Sequence, residues 1–396
     1  MPNDFSPLRG IRVVEMTHMI MGPSCGQILA YLGAEVIKVE PPAGDKTRHL
    51  TGMGRGFFPS FNRGKRSITL DLKSKAGTSA LDRLLATADV YVENFRDQSI
   101  AKMGFAPGQL REKYPKLIVA SCKGFLHGPY QDRTAMDEVV QMMTGMAYMT
   151  GPTGRPLRIG SSANDIMGGL FGALAVLGAL MERQQTGQGR ALRIGLFENC
   201  LMLVMQHMVQ FDLDGREPAP MPEREFSWPV YDIFDTHDQR QIFVGAVTEG
   251  HWQILCNALG LEHLLDDRRL HTKMDQIEAR HWTIPIFAEA IKKRDFAELI
   301  EIFEASGIPF SPINRPADMY QDPHVLRTGG LHHSHLPGGQ AFRAPGLPIE
   351  VDGDSPRPAS LDVADIGNDT ESVLSELGLS PSEARAASGA VNRRTA

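Results

Sequence analysis

The sequence predicts an α/β protein: a large domain built on a helix-covered parallel sheet, with a smaller α+β domain beside it. Three observations carry this expectation. Short runs rich in Val and Ile alternate with helical stretches through the first half of the chain. The connections between them are brief, as in βαβ units. The length, 396 residues, exceeds what one hydrophobic core usually serves.

The elements follow in order. Residues 11–16 (Ile-Arg-Val-Val-Glu-Met) read as a strand, 23–32 as a helix and 35–40 (Glu-Val-Ile-Lys-Val-Glu) as a second strand. Residues 89–94 and 116–121 supply two further buried strands, each after a helical stretch. A long apolar helix over 170–184 then leads to a strand at 191–194. Such repetition predicts a Rossmann-like parallel sheet with helices on both faces. The texture changes near residue 215. Pro218-Ala219-Pro220-Met221-Pro222 is linker-like, and strands are expected at 230–234 and 241–247 around the turn Asp235-Thr236-His237-Asp238. Helical patterns cover 249–258, 277–292 and 295–305. The expected division is a large α/β domain over 1–214 and a small α+β domain over 215–312. A Pro- and Gly-rich segment, 313–396, returns to the large domain and ends in a helix near 370–377 and a polar tail.

Composition narrows the function. Apolar residues make up 42% and charged residues 22%, the balance of a soluble globular chain. A formal charge of −6 without a basic stripe argues against nucleic acid as partner. The longest apolar run, 170–181, is broken by glycine and is expected to be too short for a membrane span. The first ten residues lack the charged and apolar regions of a secretory signal. Cys25, Cys122, Cys200 and Cys256 form no CxxC pair, which fits a reducing cytoplasm and neither a disulfide framework nor a zinc site. His332, His333 and His335 have no acidic or thiol partner nearby and read as a solvated hairpin.

One carboxylate stands out. Asp165 follows the turn Gly160-Ser161-Ser162 and precedes the long apolar helix, where backbone N–H groups and the macrodipole favour negative charge. Alone, it reads as a helix cap. The first β–α turn, Thr17-His18-Met19-Ile20-Met21-Gly22-Pro23, lacks G-x-G-x-x-G, so Glu40 at the end of the second strand makes a weak case for NAD. Between residues 48 and 73 lie Arg48, Arg55, Arg63, Lys65, Arg66 and Lys73, interleaved with Phe57, Phe58 and Phe61. That segment is either a solvated basic face or a site for phosphates and an adenine ring.

The order of motifs is more specific than any piece of it. Leu8-Arg9-Gly10, Gly22-Pro23-Ser24, Leu32-Gly33-Ala34-Glu35 and Gly44-Asp45 come first. Asn62-Arg63-Gly64-Lys65-Arg66-Ser67, Leu70-Asp71-Leu72-Lys73 and Glu93-Asn94-Phe95-Arg96 follow. Lys123-Gly124-Phe125, Asp165 and Arg183-Gln184-Gln185-Thr186-Gly187 complete the set. The chain thereby resembles the family III CoA-transferases of the CaiB/BaiF type, which include formyl-CoA transferase and carnitine CoA-transferase. The likeness is dense over 8–200 and looser to about 350.

The resemblance implies a reaction and a site. Asp165 would be the nucleophile, carrying first an acyl anhydride and then a CoA thioester. His18, Met19, Ile20 and Met21 would lie along the pantetheine. Leu70, Lys73, Asn94, Phe95 and Arg96 would hold the nucleotide end, with Lys102 and Lys123 as further candidates, and Asp137 would shape the acyl pocket. Coenzyme A would enter as substrate and product, with no permanently bound cofactor and no metal, in an interlaced homodimer. Two departures matter. Pro41 stands where formyl-CoA transferase carries an adenine-side arginine, and that enzyme's glycine-rich loop has no counterpart between 211 and 247. The second departure points to succinyl-CoA as donor and a small dicarboxylate as acceptor, with Arg48, Arg55 and Arg158 as carboxylate clamps. The related α-methylacyl-CoA racemases share the aspartate but use a histidine as second base. Here Met136 takes that place and carries no proton.

Overall fold

A computed structural model describes residues 5–224 and 228–389; the end of the expected polar tail lies outside them. The chain divides into two compact units, Met1–Pro222 with Leu326–Ala396, and Glu223–Val325. These boundaries lie later than the expected 214 and 312. The helix Leu196–Asp214 and the segment to Pro222 stay with the larger unit. In the smaller unit the chain runs on past the strand Phe310–Pro312 to Val325.

The larger unit holds six strands: β1 (Arg12–Met16), β2 (Glu35–Glu40), β3 (Arg66–Thr69), β4 (Val90–Glu93), β5 (Ile118–Lys123) and β6 (Ala191–Gly195). All pair in parallel, in the order β3-β2-β1-β4-β5-β6. This is the doubly wound order, in which ligands bind beyond the strand ends where the winding reverses, here between β1 and β4. β3 carries Arg66 and Ser67 and shows no apolar run long enough to mark it in the sequence.

Alternation sends successive side chains to opposite cores. Val13, Val36, Val90 and Ile118 pack beneath the helices Met21–Tyr31, Ala163–Thr186 and Leu196–Asp214. Val14, Ile37, Tyr91 and Val119 face Leu81 and Leu84 of the helix Lys75–Leu85, together with Val373, Leu374 and Ala387. The last of these belongs to the helix Pro381–Ser388, inside the stretch expected to be a polar tail. Its capping box, Ser380 with Glu383, was the available signal.

The helix Ala163–Thr186 begins seven residues before the expected start. With 24 residues it is long and apolar enough to cross a membrane, contrary to the expectation that no run reaches that length. Gly168, Gly169 and Gly172, which divided the run in the sequence, are packing points inside one helix. A Cβ on Gly169 would sit 2.7 Å from the Met21 carbonyl oxygen and 2.9 Å from the Cys25 nitrogen; one on Gly168 would meet the Met21 side chain at 2.8 Å. The glycines therefore serve helix–helix contact. Gly169→Ala should lower stability by about 1–3 kcal/mol, because backbone must move. An unchanged urea midpoint would contradict this.

The smaller unit is a three-stranded antiparallel sheet, Val230–Asp235, Gln241–Ala246 and Phe310–Pro312. Its core joins Val244, Trp252, Phe287 and Phe303. The histidine hairpin forms, with His332–His335 paired to Ala341–Ala344. It is only half solvated, since His332 and Ser334 point inward and are buried.

Candidate active site

The turn after β1 is the first part of the site. Met19 adopts φ 63°, a left-handed conformation uncommon for a residue with a side chain. Three hydrogen bonds hold the turn. Asn94, just beyond β4, accepts from the His18 N–H at 3.1 Å and donates to the His18 carbonyl at 2.8 Å. Thr47 Oγ1 accepts from the Met19 N–H at 3.1 Å. Asn94 thus ties the two strand ends together at the switch point.

Beneath this turn lies a buried charge network. Glu15, fully buried, accepts from Lys65 Nζ at 2.7 Å, Thr17 Oγ1 at 2.8 Å and Lys38 Nζ at 3.3 Å. Lys38 also donates to the Thr17 carbonyl at 2.8 Å and pairs with Asp45 at 3.1 Å. Lys65 donates to the Pro23 carbonyl and to Asn62 Oδ1. Burial pushes the Lys65 ammonium down to about 8, although Glu15 pulls it back up. Gly26 is required here, because a Cβ would fall 1.7 Å from Glu15 Oε2.

The expected basic ligand patch is largely occupied by the fold itself. Arg48 grips Glu40 with two nitrogens, at 2.6 and 2.7 Å, so Glu40 is no ribose acid and Arg48 no free clamp. Arg63 donates to the carbonyl of Pro345. Arg66 reaches Glu35 and Glu376. Arg55 and Lys73 remain exposed. Long cations next to a sheet edge find carboxylates on neighbouring elements, which their sequence spacing does not reveal.

Beyond the β4 and β5 ends opens a crevice of about 450 Å³, lined by His18, Asn94, Phe95, Arg96, Lys123 and Arg193 among others. Arg96 is exposed and donates to Thr134 at 2.9 Å. Lys123 is buried against Glu93 at 2.7 Å and Asp97 at 3.1 Å. The crevice therefore gathers five of the residues expected to touch CoA. Leu70 belongs instead to the core under the Lys75–Leu85 helix, and Ile20 and Met21 are buried. Lys102 is exposed and lines no part of the crevice.

Asp165 occupies the third position of its helix, inside the first turn, so it is not the cap; Ser162 is. Its backbone N–H, which has no intrahelical partner, points at Asp137 Oδ2 at 3.4 Å. The partly buried Asp165 carboxylate accepts no hydrogen bond among the described residues. Burial pushes its carboxyl up to about 7; the Asp137 carboxylate adds to the rise and Arg158 opposes it. Arg158 is braced by the carbonyls of Ile159 and Ser161 and faces Glu138 at 3.6 Å. Asn164, wholly buried, donates to the Leu196 carbonyl, and Asn199 donates to the Asn164 carbonyl at 2.7 Å, anchoring the helix start.

Sequence reasoning missed Gln141, whose amide donates to Asp137 Oδ1 and accepts from the Ile159 N–H at 2.9 Å. The four-residue spacing from Asp137 puts both on one helix face and was the usable signal. Asp137 also lies only two residues beyond Ala135 of the crevice wall. Asp165 is therefore linked to the crevice wall through its contact with Asp137.

Burial thus leaves a carboxyl of raised pKa at a helix start, linked through Asp137 to the wall of a switch-point crevice, and comparison with known proteins gives the class. The profile of CoA-transferase family III matches residues 8–370, and the chain belongs to that family. It is an acyl-CoA:carboxylate CoA-transferase. It is 33% identical over 342 residues to the succinate–glutarate CoA-transferase of Agrobacterium fabrum, covering 83% of this chain and 85% of that one. It is 29% identical to the succinyl-CoA:mesaconate CoA-transferase of Haloarcula hispanica, covering 93% and 99%. A solved CaiB/BaiF family protein from Brucella suis aligns with a TM-score of 0.85 at 30% identity, over 94% of this chain and 100% of that one.

Proposed function

We propose that this enzyme moves CoA from succinyl-CoA to a small dicarboxylate through covalent intermediates on Asp165. The observation that supports it most is the partly buried Asp165 carboxylate at the start of a helix, which accepts no hydrogen bond among the described residues and is linked through Asp137 to the crevice wall. In the first step Asp165 attacks the thioester carbonyl, the C–S bond breaks, and CoA leaves as thiolate. The thiolate then attacks the Asp165 carbonyl carbon and expels the donor acid. The acceptor carboxylate attacks the aspartyl thioester, and the returning thiolate attacks the acceptor carbonyl, freeing Asp165. Each step exchanges one acyl bond for another. First-turn N–H groups are the candidate donors to the tetrahedral oxyanions.

The names of the two relatives motivate succinate and a second diacid as substrates. Arg158, next to Asp165 and held by backbone carbonyls, is our candidate for the distal carboxylate. Incubation with succinyl-CoA and a panel of glutarate, mesaconate, itaconate and monoacids, followed by mass spectrometry, tests the pair. Transfer only to monoacids would contradict it. Racemisation is the second reading, and Met136, exposed near Asp137, supplies no second base. Loss of α-deuterium without CoA exchange would favour it.

The reacting species is the carboxylate, so kcat/KM for acyl-CoA should rise with pH through about 7 and level off above it. A profile flat from pH 5, as for an ordinary aspartate, would contradict the raised value.

We further propose a homodimer in the cytoplasm. Met202, Met205, Met208 and Phe211 line one side of the helix Leu196–Asp214 and are each about half exposed, beside a groove of about 950 Å³. A patch of this kind supports burial against a second copy. Light scattering should return twice the chain mass. The buried, unpaired cysteines accord with a reducing compartment.

A further inference from the structure

We propose that Gln141 is a positioning residue for CoA transfer, a buried amide that locks Asp137 and the loop before Asp165 into one frame around the nucleophile. This rests on the proposed role of Asp165. Gln141 is fully buried, one turn after Asp137 in the helix Asp137–Met143. Its Nε2 donates to Asp137 Oδ1, and its Oε1 accepts from the Ile159 N–H at 2.9 Å. An amide has one donor end and one acceptor end, and here each end has the partner it requires.

The other Asp137 oxygen faces the Asp165 N–H at 3.4 Å. Gln141 therefore fixes the distance between the two aspartates. Through Ile159 it also fixes the path of the loop that carries Arg158, the cation whose charge opposes the rise at Asp165. An apolar side chain of the same shape would leave a buried N–H and a carboxylate oxygen without partners. The loop and Asp137 would then be free to shift, and a displacement of about 1 Å in a reacting group can cost about 100-fold in rate.

Few ionisable groups face this frame among the described residues. They are Asp137 and Asp165, Arg158 with its partner Glu138, and Cys200 from the helix Leu196–Asp214. Gln141 touches no crevice residue in the hydrogen-bond network, so its effect should reach turnover and leave CoA binding nearly intact.

Two variants test this, each assayed from pH 5 to 9 alongside trapping of the CoA adduct on Asp165. Gln141→Met keeps the volume and loses both hydrogen bonds. It should reduce kcat about 10- to 100-fold with KM for acyl-CoA within about threefold. Its acid limb should move to lower pH, because Asp137 can turn away from Asp165. Gln141→Glu keeps the acceptor for Ile159 but adds a negative charge, and its acid limb should move to higher pH. A merely structural glutamine would lower stability and leave both profiles superimposed on wild type, which would overturn the proposal. If Gln141→Met fails to fold, the profile of Gln141→Glu decides. Absence of an adduct in the wild type would instead sink the Asp165 reading and this inference with it. A wild-type adduct with unshifted variants would remove Gln141 alone.

Discussion

Asp165→Ala should fold, bind CoA with affinity within about threefold of wild type, and lose transfer activity by about 10³-fold or more. The residue sits in the first helical turn, its carboxylate accepts no hydrogen bond among the described residues, and its backbone N–H keeps the Asp137 contact whatever the side chain. The linkage has a definite sign. The folded carboxyl titrates near 7 and an ordinary one near 3.8, so between those values the folded state holds more protons. Stability therefore falls as pH rises through that window. Asp165→Asn removes the penalty and should be more stable than wild type at pH 8, by roughly 1–3 kcal/mol, with no gain below pH 4. An active Asp165→Ala, or an Asp165→Asn less stable than wild type at pH 8, would contradict this reading.

The second large effect is on stability. Lys65→Met should cost about 3–5 kcal/mol, because Glu15 would keep a buried charge with its 2.7 Å partner gone. Asn62 Oδ1 and the Pro23 carbonyl would lose their donor as well. Pro23 lies in the helix that starts just after the Met19 turn, so the damage should extend to CoA affinity. Glu15→Gln/Lys65→Met removes both charges together and should be less destabilised than the sum of its single changes. Strict additivity in urea unfolding would show that the two groups do not interact. A cost for Lys65→Met under about 1 kcal/mol would show that the pair is not desolvated.

Much of the fold was legible because its strands are short apolar runs separated by helices. β1 and β2 match the expected spans to within a residue. β3 escaped because Arg66 and Ser67 disguise a strand whose cation reaches across to Glu35 on β2. The long helix was cut short in the sequence because Gly168 and Gly169 look like a break. In space they are where another helix comes closest. Asp165, His18 and Asn94 stood out in the sequence, but the contacts that hold them did not. Asn94 spends both ends of its amide on the His18 backbone, a contact between strand ends that pattern does not encode. The cations of 48–66 were visible as a cluster, yet Lys65 and Arg66 find their carboxylates far away in sequence, at Glu15, Glu35 and Glu376. Leu70 carried a motif position and an apolar side chain, and the core took it.

The covalent role of Asp165 is tested most directly by following oxygen. An acceptor diacid labelled with ¹⁸O in its carboxylates attacks the aspartyl thioester through one labelled oxygen, which becomes the bridge of the second anhydride. When the thiolate attacks the acceptor carbonyl, that bridging oxygen leaves with Asp165. After a single turnover, mass spectrometry of the peptide spanning 159–183 should therefore find one label atom, located on Asp165. Transfer of CoA to the labelled acid with no label on Asp165 would contradict the mechanism.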